Sequence, residues 1–269
     1  MLLRPSNIPK IVILATKGTS ANIIYNYLQD SCQIEAVIIE KPISKWKLLR
    51  SRAKKLGLTT VFGQILFQTL VQPVLYHLGK KRQAEIIRIN KLSANEIPDK
   101  VIFKVASINL PETLAYIQKL KPDCIVLSGT RIASKKFLQA VGCPVLNIHA
   151  GITPAYRGVH GGYWALANND AQNCGATIHL VDAGVDTGEV LHWVTIYPDA
   201  KADHFATYPL LQLAAALPFL LAGILSIIAN DHQDKNVLSV ASSNKQKSKQ
   251  WYHPTIWQYL YSWWLKGVR

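Results

Sequence analysis

The sequence predicts an α/β protein: a doubly wound, mainly parallel sheet that carries an inserted helical segment and a short C-terminal extension. Three observations predict it. Short apolar runs (KIVILA, IEAVIIE, DCIVLSG) alternate with amphipathic stretches, the pattern of parallel strands joined by crossover helices. Two further runs, VLNIH from Val145 and GATIHLV from Gly175, each lead into polar, ionisable residues, and strand C-termini are where ligands bind in an open α/β sheet. Residues 41–95 and 231–269 break the alternation with basic and aromatic segments of a different character.

In chain order, KIVILA (10–15) reads as a first buried strand, followed by a small-residue turn into a helix, TSANIIYNYLQD. Backbone N–H groups at Gly18, Thr19, Ser20 and Asn22, with the positive end of that helix, offer a place for an anion. An ordinary turn with Ser20 as N-cap accounts for the same residues. IEAVIIE (34–40) is strand two. The 41–95 insertion opens with a basic helix, KWKLLRSRAKKLG, and continues with TTVFGQILFQTLVQPVLYHLG. In the latter, Gln64, Gln68 and Gln72 recur every four residues and mark one polar stripe, and Pro73 predicts a kink. A helical hairpin packed on the domain is one reading. A basic, apolar element resting on anionic lipid, through residues 41–82, is the other.

VIFKVASIN (101–109) reads as a strand or edge, PETLAYIQKLKP as a helix started by Pro111, DCIVLSG (123–129) as a strand, and TRIASKKFLQAV as loop and helix. EVLHWVTIYP is the last strand. The uncharged run Leu210–Ala229 is long enough to span a bilayer, but Pro218 and Gly223 interrupt it. It reads as a core or homodimer-interface helix. In the tail, Trp257, Leu260, Tyr261 and Trp264 fall at helical spacing, so 251–269 either meets a membrane interface or partner groove or docks back on its own domain. The division is 1–230, with the insertion, and 231–269.

The 269 residues suffice for a sizeable core, and a 49% hydrophobic fraction excludes a mostly disordered chain. Cys32, Cys124, Cys143 and Cys174 are scattered, without a C-x-x-C pair, and read as free thiols rather than a disulfide frame or metal site. The opening MLLRPSNIPK is too short and too soon broken by proline for a signal peptide, which points to the cytoplasm, with peripheral membrane contact as the variant. A net charge of +14 favours a polyanionic partner, and between Lys41 and Ala84 there are ten Lys or Arg and no Asp or Glu.

The chemistry concentrates at 145–188. Asn147 and His149, two apart on one strand, point to the same side. An imidazole moves protons, a carboxamide donates to a developing oxyanion, and Asp186 from a neighbouring strand end orients the imidazole. Such a triple suits acyl transfer to an amine; loop polar groups or helix caps supply the bland alternative. Arg157 and His160, in the loop after Pro154, are either acceptor contacts or loop structure.

NIHAGITPAYRG followed by GATIHLVDAGVDTG resembles the formyltransferase family, whose glycinamide ribonucleotide, methionyl-tRNA and sugar branches use N10-formyltetrahydrofolate. The family pattern is roughly N-I-H-x-S-L-L-P-x-[YF]-R-G, then G-x-T-[IV]-H-x-[VM]-D-x-G-x-D-T-G. Here Gly151-Ile152-Thr153-Pro154 stands where the pattern has Ser-Leu-Leu-Pro. The resemblance implies a Rossmann-like fold, formyl transfer with N10-formyltetrahydrofolate as co-substrate, and catalytic roles for Asn147, His149 and Asp186. It places Arg131, Ile132, Ala133, Val181, Ala183, Gly184 and Val185 on the folate side, and loosely likens the Gly18–Asn22 turn to a substrate-phosphate loop. The methionyl-tRNA branch carries a larger C-terminal barrel; 231–269 is too short for one, so nucleic acid is not the expected partner. The expected acceptor is a small phosphate-bearing amine such as an amino sugar nucleotide. A hydrolase using water, or a membrane-proximal enzyme acting on a lipid-linked amine, are the alternatives.

Overall fold

The computed structural model describes residues 8–229 and 247–269; the first residues, the 230/231 boundary and most of SSNKQKSK lie outside them. The main sheet has seven strands: β1 (Lys10–Ala15), β2 (Gln33–Glu40), β3 (Ile102–Val105), β4 (Cys124–Ser128), β5 (Val145–His149), β7 (Gly175–Leu180) and β8 (Val190–Thr195). A two-residue strand, β6 (Arg157–Gly158), falls between β5 and β7 and pairs elsewhere. The order is β3-β2-β1-β4-β5-β7-β8, with β5–β7 and β7–β8 antiparallel and the other four pairings parallel. The doubly wound, mainly parallel sheet is therefore present. Its strand order reverses between β1 and β4, and such a reversal opens a crevice at the strand C-termini.

The central strands form because KIVILA and CIVLS are apolar at consecutive positions, as strands covered on both faces must be. One face is covered by α1 (Thr19–Leu28) and α8 (Tyr208–Ala229), the other by α5 (Pro111–Leu120) and α6 (Lys135–Ala140). Helix α8 spends its buried side, Leu213, Leu217, Leu220 and Ile224, on its own sheet, as a core helix does; Pro218 faces outward. The cysteines are free, and burial pushes the Cys32 thiol up to about 11.

The insertion is helical: α2 (Lys45–Leu56) turns at Gly57, at φ 84°, into α3 (Leu58–Leu66), a π turn (Phe67–Val71) and α4 (Gln72–Ile89). Pro73 does not break this helix. The π turn just before it supplies the wider i→i+5 hydrogen bonding that accommodates the register change. The glutamine stripe faces inward: the buried Gln64 donates to the His253 carbonyl at 2.8 Å, and Gln68 to that of Gln64 at 3.1 Å. Helix α4 is tied down by Arg82, whose guanidinium grips the buried Asp203 at 2.8 and 3.1 Å, and by Gln83 on the Ala206 carbonyl at 3.0 Å.

The described part of the extension docks back on the domain. A short strand, β9 (Gln250–Trp251), pairs with β6, and α9 (Ile256–Lys266) packs on α3 and the π turn around α7 (Gly161–Ala167). Phe67 is the hub, with ring centroids 4.9 Å from Phe205 and 5.0 Å from Tyr259. We expect Phe67→Ala to lower stability by about 3–5 kcal/mol, the usual cost of emptying a fully buried aromatic site. Chemical denaturation measures this; a loss below about 1 kcal/mol would show that the insertion and tail do not share one core.

Candidate active site

Strand β5 ends in Asn147 and His149, and the loop after β7 carries Asp186 back to them. The structure brings the three together. His149 Nδ1 lies 3.3 Å from Asp186 Oδ2, and Asn147 Nδ2 lies 3.5 Å from Asp186 Oδ1. Asp186 Oδ2 also accepts the Gly158 N–H at 2.9 Å. A residue the sequence reading left unassigned completes the group. In the antiparallel β5–β7 register His179 lies opposite Asn147, and its Nε2 is 3.2 Å from Asn147 Nδ2. Its Nδ1 donates to the Leu180 carbonyl at 2.7 Å, which leaves Nε2 to accept from Asn147 and fixes the carboxamide's orientation. The signal was its place in the GATIHLV run.

His149 is buried, and its Nε2 sits 2.7 Å from the Tyr156 carbonyl. A carbonyl only accepts, so Nε2 carries the proton and Nδ1 faces Asp186 with its lone pair. Burial pushes the His149 imidazolium down from its ordinary value, outweighing the Asp186 carboxylate and the Tyr156 carbonyl that favour it. Burial by itself raises the Asp186 carboxyl; the neighbouring His179 and His149 rings and the Gly158 N–H outweigh it and hold the carboxyl below its usual value. The site is thus a neutral base beside a carboxylate. A proton gained at Nδ1 meets an ion partner already in place.

Between β1 and β4, on the α1/α8 side of the sheet, lies a cavity of about 410 Å³ whose lining includes none of Asn147, His149 and Asp186. Gly18, Thr19 and Ser20 line it, as do Ile148 and Ala150, which flank His149, and Tyr76 and Gln83 of the insertion. Ser20 is not the N-cap: Gly18 holds that position, without a side-chain cap bond, because the helix starts a residue before Ser20. Asn22 does not face the cavity either. Its amide donates to the Ala94 carbonyl at 3.2 Å.

The residues assigned to the folate side lie in two loops, 129–133 and 181–188. Ala133 and Val181 pack into the same buried cluster on the α5/α6 face, across the sheet from the cavity. Ile132 is 60% exposed, and Ala183 and Gly184 are exposed with Val185 partly so. Arg131 is a brace. Its N–H and Nε donate to the buried Glu40 at 2.5 and 2.6 Å, and Nη2 to the carbonyls of Lys41 and Ala106, which fixes the guanidinium against β2. Arg157 borders the site, donating through Nη1 to the Val185 carbonyl at 3.0 Å, and its buried Nε has no partner among the described residues. His160 belongs elsewhere: Nε2 is 2.9 Å from His253 Nδ1 and the ring packs on Phe205, because α7 starts there and turns it into the aromatic core.

A family model described as formyl transferase matches residues 36–206. The chain belongs to the formyltransferase family. It is 31% identical over 125 residues to the methionyl-tRNA formyltransferase of Campylobacter curvus, a match covering 46% of this chain and 40% of that one. With that of Geobacter sulfurreducens it shares 30% over 153 residues, covering 54% and 47% respectively. The match thus spans less than half the length of these curated relatives. Among solved structures, a phosphoribosylglycinamide formyltransferase from Anaplasma phagocytophilum superposes with a TM-score of 0.55 at 16% identity, covering 91% of this chain and all of that one (100%). A sugar N-formyltransferase from Shewanella sp. gives 0.53 at 13%, covering 91% and 77%. At such identities the likeness is one of fold.

Two predictions follow from the titrating groups. Replacing Asp186 with Asn removes the carboxylate that would stabilise a protonated His149, so the acid limb of a kcat/KM profile should move to lower pH while kcat falls. An unmoved limb would separate Asp186 from His149. Burial, then the Arg52 charge, pushes His253 down to about 4. A base with its folded value below its unfolded value keeps its stabilisation above about pH 6.5 and loses it as pH falls towards about 4. Melting temperature should therefore drop across that window, by on the order of 3 kcal/mol in stability, and His253→Gln should flatten the drop.

Proposed function

We propose that the protein transfers the formyl group of N10-formyltetrahydrofolate to the amine of a small phosphate-bearing acceptor, with amino sugar nucleotides as the acceptor class. The observation that carries this reading is the grouping of Asn147, His149 and Asp186 at the end of β5, with His149 Nδ1 3.3 Å from Asp186 Oδ2. The co-substrate supplies an electrophilic formyl carbon. The exposed Ile132 and the open loop Ala183–Val185 suit its ring system, and the orphaned Arg157 Nε suits one of its acceptor oxygens.

The chain's own groups then divide the work. The cavity orients the acceptor amine at the β5 end. As the amine attacks the formyl carbon, His149 Nδ1 takes its proton and Asp186 Oδ2 stabilises the resulting imidazolium. The Asn147 hydrogen held only weakly, at 3.5 Å to Asp186 Oδ1, serves the oxyanion that develops on the formyl oxygen. The same proton returns from Nδ1 to the departing folate nitrogen. Charge is conserved through the cycle, and no metal or redox partner enters it.

The test is consumption of N10-formyltetrahydrofolate by the purified protein with a panel of amino sugar nucleotides, other phosphate-bearing amines and, because its curated relatives are named for it, methionyl-tRNA. Turnover that requires a small amine supports the reading. Turnover without any amine makes water the nucleophile, and turnover with tRNA alone overturns the acceptor class. His149→Ala should lower turnover by about two orders of magnitude or more, as loss of an acid/base group does. Near-normal turnover would remove His149 from the chemistry.

A further inference from the structure

The insertion is apolar on both sides, burying Val61, Phe67 and Ile86 and exposing a second set. Along Leu58–Ile89 the buried Gln64 bonds to the tail, while Leu58, Phe62, Leu70, Val74 and Leu78 stand exposed at spacings of four or eight residues, Leu58 at 78%. A soluble surface helix buries its apolar stripe. Helix α9 repeats the pattern. Tyr259 and Ser262 anchor it, and Leu260, Tyr261, Trp263 and Trp264 face outward, Trp264 at 88%. The two rows adjoin, because the Trp257 ring lies directly over Gly63, where any Cβ would collide with it, next to Phe62. Basic charge frames them. Helix α2 exposes Arg50, Lys54 and Lys55, with Trp46 at 83%, and Lys55 Nζ sits 5.4 Å from the Tyr252 ring centre, joining α2 to the tail.

We propose that the face formed by α2, the Leu58–Ile89 helix and α9 docks on an anionic lipid bilayer. Exposed apolar side chains, tryptophan and tyrosine at their border and surrounding lysine and arginine are the chemistry an acidic bilayer surface binds. Charge argues against a second copy as the occupant. The one acid in α2, the Leu58–Ile89 helix and 247–269 is Glu85, which pairs with Arg82, so a two-fold contact through this face would set cation against cation. The helix lies in the surface plane rather than across the membrane. It is long and apolar enough to cross, but Gln64 and Arg82 bind its inner side to His253 and Asp203. Because Tyr76 and Gln83 line the cavity, the docked helix is also a wall of the acceptor site.

The test is co-sedimentation of the full-length protein with phosphatidylcholine vesicles with and without phosphatidylglycerol. We expect binding to the anionic vesicles at least tenfold tighter than to neutral ones and weakened by added salt. Two independent variants separate the contributions, Phe62→Ser/Leu70→Ser/Trp264→Ser for the apolar row and Arg50→Glu/Lys54→Glu for the charge. Each alters only exposed side chains and should lower vesicle binding tenfold or more without changing the circular dichroism spectrum. Absent binding, binding indifferent to lipid charge, binding untouched by both variants, or a solution dimer that the apolar substitutions dissolve would each overturn the proposal.

Discussion

A single carboxylate holds the active region together. Asp186 sits at φ 51°, in the left-handed region that aspartate tolerates better than most residues, and this turns its side chain back beneath the ends of β5 and β7. One oxygen takes the Gly158 N–H and faces His149; the other faces Asn147 and His179. The Gly158 N–H and the Asn147 amide are the donors that hold this largely buried carboxylate ionised. The charge therefore selects the geometry: the strand ends, the loop after β5 and the turn after β7 must all converge for Asp186 to remain an anion. The same convergence leaves a base and a hydrogen-bond donor at the mouth of the crevice.

The tail extends that constraint through the backbone. Strand β9 pairs with β6, so the Arg157 N–H donates to the Lys249 carbonyl at 3.1 Å and the Val159 N–H to that of Trp251 at 3.2 Å. Trp251 Nε1 reaches the Ala155 carbonyl at 2.9 Å, and Trp164 Nε1 that of Tyr252 at 2.8 Å. The loop that offers Gly158 to Asp186 is thus pinned on both sides by residues almost a hundred positions away. The pinning segment itself leans on the insertion through Gln64 and the Phe67–Tyr259 contact. Insertion, tail and the loop that carries Gly158 are thus joined by a continuous chain of contacts that ends at Asp186.

Much of this was legible in the sequence. Buried parallel strands are continuous apolar runs, so KIVILA and IEAVIIE announced β1 and β2 within a residue of their ends. Asn147, His149 and Asp186 were marked by strand-end chemistry and by the motif that carries them. Other features depend on contacts that no local pattern encodes. Periodicity showed that Gln64, Gln68 and Gln72 share a face, but not that the face meets the tail. His160 read as either an acceptor contact or loop structure, because its partner, His253, lies 93 residues on. His179 gained its place only from the β5–β7 register, and the Arg131 side chain pairs with Glu40, a buried acid on β2 that no local pattern links to it.

The departure from the family pattern at residue 151 bears on the chemistry itself. Where that pattern has serine, this chain has Gly151, and a Cβ there would collide with the Tyr156 carbonyl and come 2.8 Å from His149 Nε2. The bare backbone lets the carbonyl close on the imidazole at 2.7 Å. That contact fixes the proton on Nε2, which leaves Nδ1, the nitrogen beside Asp186, as the only one free to receive another. Had Nε2 been free, the ring would have had two equivalent protonation sites and Asp186 would have held a resident N–H instead of waiting for an arriving one. The missing side chain at 151 therefore sets which nitrogen is open to a proton, and Asp186 is the carboxylate that nitrogen faces.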